Sequence, residues 1–335
     1  MTMKSTTSFS GLLEGFFSDR LRGQRCTSSH TIACYRDSFR LLLKFARDRL
    51  GKAPSQLAFS DLDAPFIGAF LHYLEHDRGN CAHTRNIRRA AIHSFFHYVA
   101  YEVPEHSALI QRVLAIPNKR FAHKPIDFLS SEEVSALLTA PNLRTWGGRR
   151  DRALLLLAVQ TGLRVSELVG LNGEDLVLGS GSSCVRCQGK GRKERLTPLR
   201  AQTAAVLRDW LREREGRPED PLFPNVRGGR LSRDGVEHLL AKHVIVAAKE
   251  CPGLLTKRVS PHVLRHTAAM DLLQHGVDRS VIALWLGHES IATTEIYIHA
   301  DMSLKEKALA RASPLSVPPG RFKPDDHLLG FLDSL

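Results

Sequence analysis

The sequence predicts a mainly α-helical protein of two domains, the second of which is mixed α+β with a small antiparallel sheet. Three observations support this prediction. Residues 9–118 carry apolar side chains at helical spacing almost throughout. A basic stretch with two prolines, 117–125, separates them from a second patterned region. In that second region, two short runs typical of strands, 183–188 and 196–199, flank a glycine-rich turn.

The first region is predicted to hold four or five short helices. Tyr35, Phe39 and Leu42 begin an apolar stripe at i, i+4 and i+7. Two further helices follow over 65–74 and 84–98. Pro65 suits the first turn of its helix, where the N–H group that it lacks has no helical partner.

The second region begins with a helix start and contains several longer helices. Ser130 and Glu133 form a capping box. The apolar pattern then predicts a buried helix that is stopped by Gly162, two more helices, and a last strongly patterned stretch. We expect a helical domain over 8–118, a linker over 119–127, a mixed domain over 128–313 and a C-terminal tail over 314–335.

Composition and charge limit the class of protein. The chain has 335 residues, is 43% hydrophobic and carries a formal net charge of +12, which predicts attraction to a polyanion such as DNA or RNA. No apolar run approaches the roughly 20 residues that a membrane span needs. The N-terminus also lacks the apolar core of a secretory signal. We therefore expect a cytoplasmic protein with no membrane partner.

Two of the six cysteines, Cys184 and Cys187, form a CxxC motif. Such a motif is either half of a zinc site or two residues of a short strand. A structural zinc site takes four ligands, and no second CxxC or HxxxH motif lies nearby. The strand interpretation is favoured, and neither a metal nor a cofactor is predicted.

Four short segments carry residue types suited to phosphate chemistry. Arg164 lies just past a helix break in TGLRVSEL, and Lys190 lies in the basic turn GKGRKER, which lacks a P-loop pattern. His262 and Arg265 share one face of a helix that begins at Ser260, where free backbone N–H groups attract anions. Tyr297, in LGHESIATTEIYIH, would by itself be interpreted as a half-buried core residue.

Together and in this order, the four segments resemble those of the tyrosine recombinases, also called phage integrases, and most closely the bacterial Xer type. The resemblance covers about 128–313, and the helical first region looks like the family's core-binding domain. It implies a site-specific recombinase that cuts and rejoins double-stranded DNA through a 3′-phosphotyrosyl intermediate, without metal or ATP. It also implies a homo- or hetero-tetrameric synapse, in which the tail packs on a neighbouring subunit.

The resemblance assigns a role to six positions of this sequence. Arg164 and Arg265 correspond to the two activating arginines, and Lys190 to the catalytic lysine of the β-hairpin. The remaining three positions are the two histidines and the tyrosine nucleophile, which correspond to His262, His288 and Tyr297. Ala268 and Ala269 depart from the family pattern, because many relatives carry a bulky aromatic residue there.

A second set of residues is predicted to contact DNA. Three arginines share one side of the helix over 84–98, and that side is either a solvated surface or a face laid on a DNA groove. The basic linker and the hairpin turn extend the set. Its members are Thr84, Arg85, Arg88, Arg89, Lys119, Arg120 and Arg192.

Other functions remain open at this point. Integration, excision, resolution and transposition share the same chemistry, and the sequence does not separate them. A DNA-binding protein of the same fold that has lost catalysis is an alternative, although all six catalytic positions are filled. A type IB topoisomerase would use similar chemistry, but the compact helical domain at the N-terminus favours recombination.

Overall fold

The computed structural model describes residues 8–122, 126–179, 182–189, 194–287 and Thr294. The chain divides into two compact units, Met1–His123 and Lys124–Leu335. Most described residues are helical, and the described strands form one small antiparallel sheet in the second unit. The predicted fold class is therefore confirmed. None of the described helices is both long and apolar enough to cross a membrane.

The first unit is a cluster of helices around an aromatic core. Phe16, Phe39 and Phe95 are buried and lie in edge-to-face contact, with ring centroids 5.3–6.3 Å apart. A π-helical turn, Phe16–Gln24, carries the first of these rings. The α-helices of this unit are α1 (Phe9–Gly15), α2 (Ser29–Leu50), α3 (Ala64–His76), α4 (Ala82–Glu102) and α5 (Ser107–Leu114).

The second unit packs its helices around α7, most of whose apolar residues are buried. Ser130 and Glu133 form the predicted capping box at the start of α6. The described α-helices are α6 (Ser131–Thr139), α7 (Trp146–Thr161), α8 (Val165–Gly170), α9 (Ala201–Arg214), α10 (Arg233–Ala247), α11 (Pro261–Gln274) and α12 (Arg279–Leu286).

The sheet of the second unit has the strand order β1–β2–β3, and both pairs are antiparallel. Its strands are β1 (Leu176–Leu178), β2 (Ser183–Gln188) and β3 (Glu194–Pro198). The first of them escaped prediction because three residues are too few to show an alternating pattern. In the register of the other two, Cys187 lies opposite Arg195.

A buried charged group joins α7 to α10. The Asp151 carboxylate accepts hydrogen bonds from Arg150 Nη2 at 2.7 Å and pairs with His243 Nε2 at 2.9 Å. Arg150 Nη1 also donates to the Pro224 carbonyl at 2.8 Å. All three side chains are almost inaccessible to solvent. Each polar group therefore depends on the others for the partners that water would otherwise provide.

We expect Asp151→Ala to lower the free energy of unfolding by roughly 3–5 kcal/mol, because it leaves the buried guanidinium without its carboxylate. Urea unfolding followed by circular dichroism measures this loss. Asp209→Ala is the matched control, because Asp209 and its partner Arg212 are both largely exposed and should change the stability little. Equal losses in the two variants would contradict the structural role of Asp151.

One half-buried histidine in each unit has a strongly lowered pKa. Burial and the nearby charges of Arg89 and His97 lower the pKa of His93 to about 4. Burial, His262 and Arg265 lower the pKa of His266 to about 4, against an opposing effect of Asp127. In the unfolded chain each would titrate near its ordinary value of 6.5. The unfolded chain therefore binds protons more readily in this range.

We expect the free energy of unfolding to fall as the pH is lowered from about 6.5 towards about 4, because the folded state resists protonation of these two rings. His266→Gln and His93→Gln should each reduce this loss. Urea unfolding at pH 7 and at pH 5 measures it. If both variants lost as much stability as the wild type between these two pH values, the shifted histidines would not be its source.

Candidate active site

Arg164 lies in the turn between α7 and α8. Gly162 ends α7 with φ at +63°, and a Cβ atom at this position would lie 2.6 Å from Leu286 Cδ2. Because glycine has no Cβ and adopts this conformation freely, the turn can pack directly against the end of α12. Arg164 then acts as the N-cap residue of α8, with 29% of its side chain exposed.

Arg265 lies on α11 and is buried, with 4% of its surface exposed. Its Nη1 donates to the Gly162 carbonyl at 2.6 Å, and its Nη2 donates to the Leu286 carbonyl at 2.7 Å. These carbonyls end two different helices, where backbone oxygens lack helical partners and carry partial negative charge. The guanidinium therefore joins the ends of α7 and α12.

The Arg164 guanidinium is held at the same place. Its Nη2 donates to the Gly287 carbonyl at 3.0 Å, next along the chain from the carbonyl that holds Arg265. Its Nη1 donates to Glu167 Oε1 at 2.8 Å, and its backbone N–H donates to Glu167 Oε2 at 2.8 Å. The structure thus brings together the two arginines that were predicted separately from TGLRVSEL and HVLRHT.

Glu167 is buried between two arginines. Besides Arg164, it accepts hydrogen bonds from Arg195 Nη1 at 3.2 Å and Arg195 Nη2 at 2.8 Å. Burial raises the pKa of this carboxyl, but the hydrogen bonds and charges of Arg195 and Arg164 outweigh burial and hold the pKa below its ordinary value. Glu167 is therefore an ionised carboxylate that two guanidiniums share.

His262 is exposed on the first turn of α11, three residues before Arg265. The helix start follows the prediction, since Ser260 is the N-cap residue and its hydroxyl accepts from the Val263 N–H. The His262 ring lies nearly parallel to that of His266, with 6.4 Å between the ring centroids. His262 is thus an accessible imidazole on the same helix as Arg265, one turn before it.

The CxxC motif lies on β2. Cys187 is buried, Cys184 is half-buried, and both are free thiols. Burial raises the pKa of Cys187 to about 11, against the opposing charge of Arg195, so the thiol stays protonated at neutral pH. Within the described ranges, no cluster of His, Cys, Asp or Glu side chains is suited to hold a metal ion.

Several predicted site residues lie outside the described residues. They are the proposed lysine and arginine of the hairpin turn, the second histidine and the nucleophile: Lys190, Arg192, His288 and Tyr297. Two of these segments are next to described elements in the sequence. The hairpin turn joins β2 to β3, and His288 directly follows Gly287, whose carbonyl holds Arg164.

The arginines of α4 are half-buried and hydrogen-bonded within the first unit. Arg88 Nη1 donates to the Cys34 carbonyl and to Ser38 Oγ, which ties α4 to α2. Arg89 Nε donates to the Ile116 carbonyl, and Arg85 Nη1 donates to the Pro117 carbonyl. These three predicted DNA contacts therefore also hold the first unit together.

The other predicted DNA contacts in the first unit are more accessible. Thr84 is half-buried, whereas Lys119 and Arg120 are exposed. Lys119 Nζ pairs with Glu75 Oε1 at 2.9 Å. Sequence reasoning missed an exposed basic row on α2, although its helical spacing is visible in the sequence; its members are Arg36, Arg40, Lys44 and Arg47.

Comparison with known proteins identifies both parts of the chain. Residues 127–303 match the phage integrase family, and residues 14–102 match the SAM-like N-terminal domain of phage integrases. A putative integrase/recombinase, y4rC, of Sinorhizobium fredii is 57% identical and covers 99% of this chain and 100% of its own length. The tyrosine recombinase XerC of Thermodesulfovibrio yellowstonii is 31% identical, over 90% of this chain and 95% of its own length.

A solved structure of the XerH site-specific recombinase bound to palindromic difH substrate has a similar fold. It has a TM-score of 0.69 and 25% identity, over 90% of this chain and 84% of its own. The match to the family extends over more than half of the chain, and y4rC matches nearly all of it. The chain therefore belongs to the phage integrase family, as a tyrosine-type site-specific recombinase that is similar to the Xer enzymes.

Proposed function

We propose that this recombinase cuts and rejoins double-stranded DNA through a 3′-phosphotyrosyl intermediate, with Tyr297 as the nucleophile. The observation that carries the proposal is the convergence of Arg164 and Arg265 on the consecutive carbonyls of Leu286 and Gly287, directly before His288. Two guanidiniums held side by side suit the two nonbridging oxygens of a phosphodiester.

The proposed chemistry is a transesterification in two matched steps. The Tyr297 oxygen attacks phosphorus, the bond from phosphorus to the 5′-oxygen breaks, and a 3′-phosphotyrosyl bond forms. A 5′-hydroxyl from a partner strand then attacks this bond and releases the tyrosine. Because each step exchanges one phosphoester for another, the energy of the bond is kept and ATP is not needed.

A candidate residue is available for the charge stabilisation and for each proton transfer of the first step. Negative charge grows on the nonbridging oxygens, and Arg164 and Arg265 stabilise it without having to reorganise. A phenol, with a pKa near 10, must lose its proton as it attacks, and the exposed imidazole of His262 is the proposed acceptor. Lys190 is proposed to protonate the leaving 5′-oxygen, and His288 to donate a hydrogen bond to the phosphate.

The proposed DNA contacts extend beyond the phosphate that is cut. In the first unit they are Thr84, Arg85, Arg88 and Arg89 on α4 and, after α5, Lys119 and Arg120; in the second unit the contact is Arg192.

The reaction needs two sites and two strand exchanges. We therefore propose that four subunits, of this chain alone or with a second recombinase, assemble on the paired DNA sites.

We expect Tyr297→Phe to abolish covalent attachment to DNA and to leave binding nearly unchanged, because only the attacking oxygen is lost. The substrate is a nicked suicide duplex, made from the site that footprinting finds beside the protein's own gene. A denaturing gel shows the adduct. Tyr101→Phe is the matched control, because that tyrosine is 82% exposed in the first unit. Undiminished adduct from Tyr297→Phe would exclude this nucleophile.

We expect strand exchange between intact duplexes that carry the same site to proceed equally well in EDTA and in magnesium. The physical reason is that the two guanidiniums provide the charge stabilisation that metal ions give in other phosphoryl transfers. The yield of recombinant DNA in each buffer measures this. A strict requirement for magnesium would contradict the proposed role of Arg164 and Arg265.

A further inference from the structure

Arg195 on β3 has no part in the proposed reaction, yet it contacts the groups that hold Arg164. Its side chain is 12% exposed, and both of its Nη atoms donate to the Glu167 carboxylate. The same carboxylate accepts from the Arg164 side chain and from its backbone N–H. Arg195 is therefore a second cation on the carboxylate that holds Arg164.

Arg195 also packs on the other partner of Arg164. A Cβ atom at Gly287 would lie 2.6 Å from Arg195 Nη1 and 3.2 Å from its Cζ. The Gly287 carbonyl accepts from Arg164 Nη2 at 3.0 Å. Since Gly287 has φ at +67° and no side chain, the guanidinium can approach this turn closely. Both anchors of Arg164 are thus in contact with Arg195.

The charges of this cluster favour an arginine at position 195. If Glu167 were paired with Arg164 alone, the pair would be neutral and would attract a phosphate weakly. Arg195 adds a positive charge and occupies both carboxylate oxygens. The cluster of Arg164, Glu167 and Arg195 then keeps a net positive charge next to the proposed phosphate site.

One donor of Arg195 is not used within the described residues. Its Nε is buried and has no hydrogen-bond partner there, whereas its two Nη atoms both donate to Glu167. The contacts that the described residues give Arg195 are therefore directed at the groups that hold Arg164.

Arg195 lies near the start of β3, close in sequence to the turn that joins β2 to β3. It lies opposite Cys187 in the register of β2 and β3, five residues after Lys190 in the sequence. We propose that Arg195 is a positioning residue, which orients Arg164 through Glu167 and Gly287.

This inference rests on the proposed function, and its test uses the full-length chain with the nicked suicide duplex. Single-turnover cleavage is measured at saturating protein, and DNA affinity is measured separately. We expect Arg195→Gln to slow cleavage by about 10- to 100-fold, the size of effect that a small misplacement of a reacting group can cause. The dissociation constant for DNA should change by no more than about twofold, because the charge of Arg195 acts on the one phosphate that is cut and the other proposed DNA contacts remain.

Three further variants make the test specific. Arg195→Lys keeps the charge but loses the two-pronged contact, and should also slow cleavage. Arg212→Gln, at a largely exposed arginine on α9, removes the same charge and should cleave at the wild-type rate. In a Glu167→Gln background, Arg195→Gln should have little further effect, since a residue that acts through Glu167 gives non-additive losses.

Different results would contradict the proposed function and the positioning role of Arg195. If the wild type forms no adduct, or Tyr297→Phe forms one, the proposed function is wrong. If the wild type forms the adduct and Arg195→Gln and Arg195→Lys cleave at its rate, or lose only DNA affinity, the positioning role is wrong. Additive losses in the Glu167→Gln background would also overturn it. Should Arg195→Gln fail to fold by circular dichroism, the rate of Arg195→Lys decides the question.

Discussion

The buried carboxylate of Glu167 is the contact on which the geometry of this site depends. Arg164 and Arg195 would repel one another if they approached without a counter-charge in a region that excludes water. Glu167 accepts from both, and its own burial is offset by those hydrogen bonds. Removal of Glu167 would be destabilising, because the mostly buried guanidinium of Arg195 would lose its counter-charge.

The C-terminal ends of two helices provide the carbonyl groups that hold the arginines of the site. Gly162 and Gly287 follow α7 and α12 with positive φ, and at each of them a Cβ would collide with a neighbouring side chain. The carbonyls at these two ends have no helical partner, so they are available to guanidinium donors. Arg265 and Arg164 donate hydrogen bonds to these carbonyls. Two glycines that stop helices thus also determine where the arginines are held.

The sequence predicts those parts of the molecule that depend on local pattern. The capping box at Ser130, the helix start at Ser260 and the stop at Gly162 are all found as expected. Contacts between distant residues could not be predicted. Arg88 donates a hydrogen bond to the Cys34 carbonyl, 54 residues away. The helical pattern around Arg88 does not show whether its side chain makes such a bond or lies on a solvated surface. For Arg195 the sequence predicts only a place in a basic turn, because the direction of its side chain depends on the strand register.

The partners of the arginines also explain how a basic site can be rigid and remain attractive to phosphate. A carboxylate fixes a guanidinium but cancels its charge, whereas a neutral carbonyl fixes it and leaves the charge intact. Arg265 is fixed by two carbonyls, and Arg164 and Arg195 share one carboxylate. Among the described residues, these three guanidiniums and one carboxylate sum to two positive charges, and hydrogen bonds hold them before any DNA arrives. Little reorganisation is then needed when negative charge develops at the phosphate, because the cost of orienting these groups is met during folding.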